Sequence, residues 1–217
     1  MQHDKTDKTL IQAFILSMIN VSRIINSFFS SNTFIITSLD EKSVWLIDCG
    51  DADKIIETID SNGWLLKGVC LTHVHYDHIY GLNDLRDRYG EFTVYTNRNG
   101  KENLLNPRYN FSKFHESEFI YQGKDIQLIN NGDDIKLFDN TNVKAVETPG
   151  HDWSCLTFKI GDFLFTGDSY IPNLKTVTSF PKSNKVEAKR SEQIILSLCN
   201  EQTIICPGHG PITENRD

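Results

Sequence analysis

The chain has 217 residues, 39% of them hydrophobic and 24% charged, with no low-complexity tract. That is enough for one sizeable domain with its own core. Twenty-two Lys and Arg against 29 Asp and Glu leave a net charge of −7, which argues against a nucleic-acid partner, because a phosphate backbone calls for a basic stripe.

The five cysteines, Cys49, Cys70, Cys155, Cys199 and Cys206, are odd in number and include no C-x-x-C pair. This argues against a disulfide framework and against a Cys-rich zinc site. Reduced, buried thiols and a cytoplasmic location are expected instead.

Residues 1–29 read as an N-terminal extension packed on a single domain that spans 30–217. The apolar stretch of that extension, Leu10 to Val21, is preceded by Asp4 and Asp7 and followed by no small-residue cleavage site. It is also too short to cross a bilayer, so neither a signal peptide nor a membrane anchor is expected. Strand signals begin at Ser30. Asn32–Thr37 and Ser43–Asp48 flank a turn at Leu39-Asp40-Glu41-Lys42 and predict a hairpin. Helical spacing runs from Lys54 to Ser61 and stops at Asn62-Gly63. Leu65 to Leu71 reads as a buried strand. Helix over Ile79–Tyr89, strand over Phe92–Tyr95, and a short helix through Leu105 follow. Asn106 to Ser117 reads as a loop, with Phe111 and Phe114 tucked inward. Short strands are expected at 125–129, 134–138 and 143–146, the first two joined as a hairpin by Asn131-Gly132. Leu156–Ile160 and Phe163–Thr166 pair across Gly161-Asp162. A loop over 171–184, a helix over Glu187–Leu198 and a last strand over Thr203–Cys206 complete the chain.

The chemistry concentrates where the Leu65–Leu71 strand ends, in Thr72-His73-Val74-His75-Tyr76-Asp77-His78. Imidazole nitrogen and carboxylate oxygen are the ligands that Zn²⁺ and similar divalent ions take. In an extended segment His73, His75 and Asp77 share one side, and His78 breaks the alternation and can face a second ion. Three further residues sit in Gly- or Pro-containing turns after β-rich runs: His151 in Thr148-Pro149-Gly150-His151, Asp168 in Phe165-Thr166-Gly167-Asp168, and His209 in Pro207-Gly208-His209-Gly210. Such turns let the backbone bend sharply and side chains converge. Asp48, at the end of a strand, either orients a metal-bound histidine through its free ring N–H or serves as a turn residue.

The series T-H-V-H-Y-D-H, T-P-G-H, F-T-G-D and P-G-H-G, in that order, resembles the metallo-β-lactamase superfamily over roughly residues 30–212. The resemblance implies an αββα sandwich of two mixed sheets with helices outside and the metals at one edge. It implies two divalent ions, zinc foremost, with iron or manganese as alternatives. His73, His75 and His151 would hold the first, Asp77, His78 and His209 the second, and Asp168 would bridge them. The implied reaction is hydrolysis of a small ester, thioester or lactone by a metal-bridging hydroxide, with Asp77 a ligand rather than a base and Tyr170 able to donate to a carbonyl or oxyanion.

Within the superfamily the presence of Asp168 in F-T-G-D points to glyoxalase II-like (hydroxyacylglutathione hydrolase-like) branches. The P-x-x-N-x-S stretch from Pro107 to Ser112 is similar to one that lies near the substrate side in such members, the other reading being the surface loop with Phe111 and Phe114 inward. Two features differ from glyoxalase II. Ser169 to Lys175 stands where a Gly-Cys-Gly-Arg-like stretch is usual, and the sequence has no counterpart of its C-terminal helices. The alternative enzyme is a mononuclear iron persulfide dioxygenase. A nuclease and a non-catalytic metal-binding protein are the further alternatives. The expected partner is a small-molecule substrate, with no nucleic acid and no membrane.

Overall fold

The computed structural model describes residues 19–214. Most of the Leu10–Val21 stretch lies outside them. Two six-stranded mixed sheets pack face to face with helices on their outer sides. The first sheet runs in chain order through β1 (Ile19–Ile25), β2 (Asn32–Ser38), β3 (Ser43–Ile47), β4 (Leu65–Cys70), β5 (Thr93–Thr96) and β6 (Ile126–Leu128). β1, β2 and β3 are antiparallel neighbours, and β3 to β6 run parallel. The second sheet has the order β12-β11-β10-β9-β8-β7, formed by β7 (Asp134–Phe138), β8 (Thr141–Glu147), β9 (Leu156–Ile160), β10 (Phe163–Gly167), β11 (Ile204–Pro207) and β12 (Thr213–Glu214).

The sandwich follows from side-chain alternation. In β2, Phe34 and Ile36 point between the sheets while Ile35 points to the helices. In β3, Trp45 and Ile47 point inward while Val44 and Leu46 point out. Both strands are therefore buried on both faces, which is why they read as unbroken apolar runs. The outer core packs under α1 (Ala52–Asn62) through Ile55 and Ile59 and under α2 (Leu82–Tyr89) through Leu82 and Leu85. The inner core is built on Phe34, Phe158 and Phe165. The Trp45 indole donates to the Leu137 carbonyl at 2.8 Å and ties the two sheets together. The helices α3 (Arg98–Leu104) and α4 (Lys185–Leu198) complete the flanks. Among the described residues, no helix is long and apolar enough to cross a membrane.

Three local expectations are corrected. Among the described residues strand structure is already present from Ile19, ahead of Ser30, because Ile19–Ile25 pairs along its whole length with β2. Asn131-Gly132 makes a turn but no hairpin. β6 pairs with β5 in the first sheet, and β7 pairs with β8 in the second. The Gly132 N–H is taken by Ala145 O and Ala145 N–H by Asp133 O, so the chain leaving the turn docks on β8 and crosses between sheets. The helix expected from Ile79 starts at Leu82, after a 3₁₀ turn over Tyr76–His78.

Candidate metal centre

Every residue of the candidate site stands just past the C-terminal end of a strand. The loop 73–78 follows β4, His151 follows β8, Asp168 follows β10 and His209 follows β11. The structure brings His73, His75, His78, His151, His209, Asp77 and Asp168 together in three overlapping groups. These are His73–His75–His151, His73–His78–Asp168 and Asp77–His78–His209, the donor atoms of each lying within 4.8 Å of one another.

Four of the five histidines have one ring nitrogen hydrogen-bonded away from this cluster, and that bond decides which nitrogen faces in. The Asp48 carboxylate accepts the Thr72 backbone N–H at 2.7 Å, the Thr72 hydroxyl at 2.7 Å and His78 Nδ1–H at 2.9 Å. With its proton given to Asp48, the Thr72 oxygen accepts His73 Nδ1–H at 3.2 Å. His151 Nδ1–H donates to Val177 O at 3.0 Å and His209 Nδ1–H to Phe29 O at 3.1 Å. His75 is turned the other way, with Nε2 facing Asp152 Oδ2 at 3.7 Å and Nδ1 facing His151 Nε2 at 3.0 Å. Nε2 of His73, His78, His151 and His209 and Nδ1 of His75 are the ring nitrogens that face inward.

The cluster fits divalent cations on its own geometry. Two pairs of imidazole nitrogens face each other at 3.0 and 3.4 Å. His73 Nε2 and Asp168 Oδ1 are buried with no hydrogen-bond partner, an arrangement that is costly unless something positive lies between them. Asp168 Oδ2 is 3.5 Å from both His151 Nε2 and His209 Nε2, and Asp168 Oδ1 is 3.7 Å from His78 Nε2. Asp77 Oδ2 faces His209 at 3.2 Å and His78 at 3.4 Å.

Electrostatics agree with that geometry. Burial opposes charge on Asp77, but His78 and His209 outweigh it and hold its carboxyl well below the usual range. Burial also opposes charge on His78, yet Asp77, Asp48 and Asp168 push its pKa up to about 10. His73, with burial as the main cause and its neighbouring histidines as the next, is pushed far down.

Two glycines make the convergence possible. Gly150 sits at φ 139° against the backbone of α4, where a Cβ would come within 2.2 Å of Ala188 N. At Gly208 a Cβ would lie 2.1 Å from Asp168 Oδ1 and 3.0 Å from His78 Cε1. Gly208→Ala is expected to push Asp168 out of the cluster and lower ion affinity by at least about tenfold, as loss of ligand support does, while the far-ultraviolet circular dichroism stays that of the parent. Unchanged ion affinity in a metal-buffered titration would contradict this.

Asp48 takes the supporting role, with its carboxylate fully enclosed and its backbone at φ 60°. Asp152 was not legible as a site residue. It directly follows His151, is buried, and has Oδ1 held by Ser154 N–H at 2.8 Å while Oδ2 faces His75. Tyr170 is half-buried, and its backbone carbonyl accepts the Thr166 hydroxyl. Cys155 is buried beside the site and accepts from the Asp152 N–H, and burial raises its thiol pKa far above the ordinary value, as befits a packing residue. Phe114, expected inward, is 71% exposed.

A family model described as "Metallo-beta-lactamase superfamily" matches residues 26–211. Among curated relatives, a hydroxyacylglutathione hydrolase of Hydrogenovibrio crunogenus is 29% identical over 131 residues, covering 60% of this chain and 41% of that protein. A probable metallo-hydrolase of Streptococcus pyogenes serotype M6 is 28% identical over 216 residues, covering 95% of this chain and 90% of that one. The chain thus spans less than half of the first relative and nearly all of the second. Among solved structures, BLEG-1 B3 metallo-beta-lactamase superposes with a TM-score of 0.82 at 22% identity, covering 90% of this chain and 94% of that one. ETHE1 from Myxococcus xanthus superposes with a TM-score of 0.71 at 23% identity, covering 90% and 79%. These two show a shared fold.

Proposed function

The chain belongs to the metallo-β-lactamase superfamily, and from that premise we propose that it is a dinuclear metal-dependent hydrolase of a small ester, thioester or lactone. The observation that carries this reading is the position of Asp168. Its two oxygens face nitrogens of both histidine groups, His151 on one side and His78 and His209 on the other. One group, His73, His75 and His151, would hold the first ion. Asp77, His78 and His209 would hold the second, with Asp168 shared. Zinc suits this nitrogen-rich set, and iron and manganese are the alternatives. Bound ions supply a water-derived nucleophile at neutral pH and a Lewis acid for the carbonyl.

The chain's own residues supply the rest. Asp48, Thr72, Val177 O and Phe29 O hold the rings of His78, His73, His151 and His209, and Asp152 faces His75. Asp77, held ionised, serves as a ligand and not as a proton carrier. Tyr170 is the residue assigned to donate to the carbonyl or oxyanion. No serine or cysteine nucleophile is required, and the buried thiols are unsuited to one.

The deciding experiment measures metal per chain by elemental mass spectrometry on protein purified without added metal, followed by a hydrolysis screen of esters, thioesters and lactones. About two ions per chain and turnover abolished by chelation are expected. One iron per chain, with no uptake of a second ion on titration, would overturn the dinuclear reading and favour a mononuclear dioxygenase.

Ion loading is also expected to release protons. A histidine that is protonated at pH 7 must lose its proton before it can bind an ion. That applies to His78, which Asp77, Asp48 and Asp168 push up to about 10 against burial. Affinity should therefore tighten as pH rises from 6 to 8. Calorimetric titration in buffers of different ionisation enthalpy reads the release directly, and a buffer-independent heat would contradict it.

A further inference from the structure

Two phenylalanines flank the histidine groups in a way that the metal chemistry does not require. The Phe111 ring lies against His75 with centroids 4.7 Å apart. The Phe180 ring lies 5.7 Å from His75, 5.8 Å from His151 and 5.3 Å from Phe111. Phe180 is 42% exposed, so one side of it is open beside the site.

Phe111 is held in place at a conformational cost. Its φ is 65°, in the left-handed region that bulky side chains avoid. The fully buried residues on either side impose it. Asn110 Nδ2 donates to Asn103 O at 3.1 Å and Phe119 O at 3.0 Å, and its Oδ1 accepts the Ser112 N–H at 3.0 Å. Ser112 Oγ accepts the Phe119 N–H at 2.8 Å. The P-x-x-N-x-S stretch, Pro107 to Ser112, is thus a brace whose product is the placement of one aromatic ring.

Phe180 stands on a loop that is anchored to the same site. Val177 O accepts from His151, the Ser183 hydroxyl donates to His151 O at 2.5 Å, and Asn184 N–H donates to Gly150 O at 2.8 Å. On that loop Leu174 and Val177 are also exposed apolar residues. The one cation of the loop nearest these rings in sequence, Lys182, is engaged elsewhere, 4.0 Å over Trp153 and 4.9 Å over Tyr109. A braced, half-open aromatic pair against the ligand rings is a preformed binding wall.

We propose that Phe111 and Phe180 form an apolar clamp that selects substrates with an aryl or alkyl group on the acyl side of the reacting carbonyl over substrates with a small polar acyl group. The inference deepens the hydrolase reading and rests on it for the carbonyl. Phe180 lies 5.7 Å from His75 and 5.8 Å from His151, so a group borne by a carbonyl held at these histidines would pack against its open side. Burying such a group against aromatic surface discriminates by about tenfold to a hundredfold.

The test uses Co²⁺-loaded protein and product-like carboxylates, read by the visible absorption of the bound cobalt. Phenylacetate and hexanoate are expected to bind at least about tenfold more tightly than lactate. In Phe180→Ala, and separately in Phe111→Ala, that ratio is expected to collapse towards one, with cobalt content equal to the parent's. Phe180 is half-open and its truncation leaves the core intact, so the test survives should Phe111→Ala fail to fold. Equal affinities in the parent protein, or a preference that persists in Phe180→Ala, would overturn the clamp. The same acyl series offered as thioesters separates the two readings. Turnover without preference sinks only the clamp, and preferential carboxylate binding without turnover of any ester, thioester or lactone sinks only the hydrolase.

Discussion

Replacing Asp168 with alanine is expected to remove at least one of two bound ions and to cut hydrolysis by more than about a hundredfold. That exceeds the tenfold to hundredfold usual for groups that merely support a ligand. The reason is positional. Asp77 also offers a carboxylate to the cluster, but its Oδ2 faces only His78 and His209. Asp168 faces His151 as well, through an oxygen 3.5 Å away, and its other oxygen is buried without a hydrogen bond.

Losing Asp168 therefore uncouples the two histidine groups, whereas losing Asp77 weakens one of them. The effect on the metal-free fold should be small. Asp168 makes no hydrogen bond to backbone among the described residues, and a melting temperature within a few degrees of the chelated parent is expected. Elemental analysis after dialysis in metal-buffered solution checks the first expectation and thermal unfolding in chelator the second. Two ions retained by Asp168→Ala, with the parent's affinity, would show that the carboxylate is not shared.

The parts of this site that were legible in the sequence are those encoded within a few consecutive residues. His73, His75, Asp77 and His78 lie on one loop, but only His73 and His75 keep the alternation of extended backbone; a 3₁₀ turn over Tyr76–His78 carries Asp77 away from them to the side of His78 and His209. His151, Asp168 and His209 each follow an apolar strand and sit by a glycine, which marks the close approach that Gly150 and Gly208 make. The parts that were missed depend on partners distant in the chain. Asp152 reads locally as a polar turn residue, and only the fold sets it against His75. Phe111 reads as a loop hydrophobe, and the place of its ring beside His75 depends on Asn110 and Ser112 reaching Phe119.

The same reasoning covers the fold. β2 and β3 were readable as apolar runs because both of their faces are buried. β1 was not, because its residues are all half-buried or exposed and carry no clean period of two. At Asn131-Gly132 the turn was visible, but a turn signal says only that the chain reverses. Which strand receives it was settled by Gly132 and Ala145, through backbone hydrogen bonds that leave no mark in the residue types.

Asp48→Asn is expected to weaken ion binding by about tenfold to a hundredfold with little change in fold, although the new side chain is nearly isosteric. Asparagine tolerates the left-handed conformation that Asp48 adopts at φ 60°, so the backbone need not move. The hydrogen bonds decide the outcome. The carboxylate accepts three protons, from Thr72 N–H, the Thr72 hydroxyl and His78 Nδ1–H. An amide has one oxygen, which the Thr72 backbone N–H claims because it has no other acceptor. The amide nitrogen then faces His78 Nδ1 as a donor, and the ring must accept there and carry its proton on Nε2. That inverted tautomer points a proton instead of a lone pair at Asp77 and Asp168. Asp48→Ala differs in kind, since it leaves the Thr72 backbone N–H and the His78 ring N–H buried without partners, at about 1–3 kcal/mol each. The alanine variant should thus lose both ion affinity and several degrees of melting temperature, and the asparagine variant mainly affinity. Metal-buffered titration and thermal unfolding of the chelated proteins separate the two, and nitrogen-15 spectra of the imidazole rings read the tautomer of His78 directly. Parental ion affinity in Asp48→Asn, with Nδ1 of His78 still protonated, would show that the carboxylate does not govern the ring.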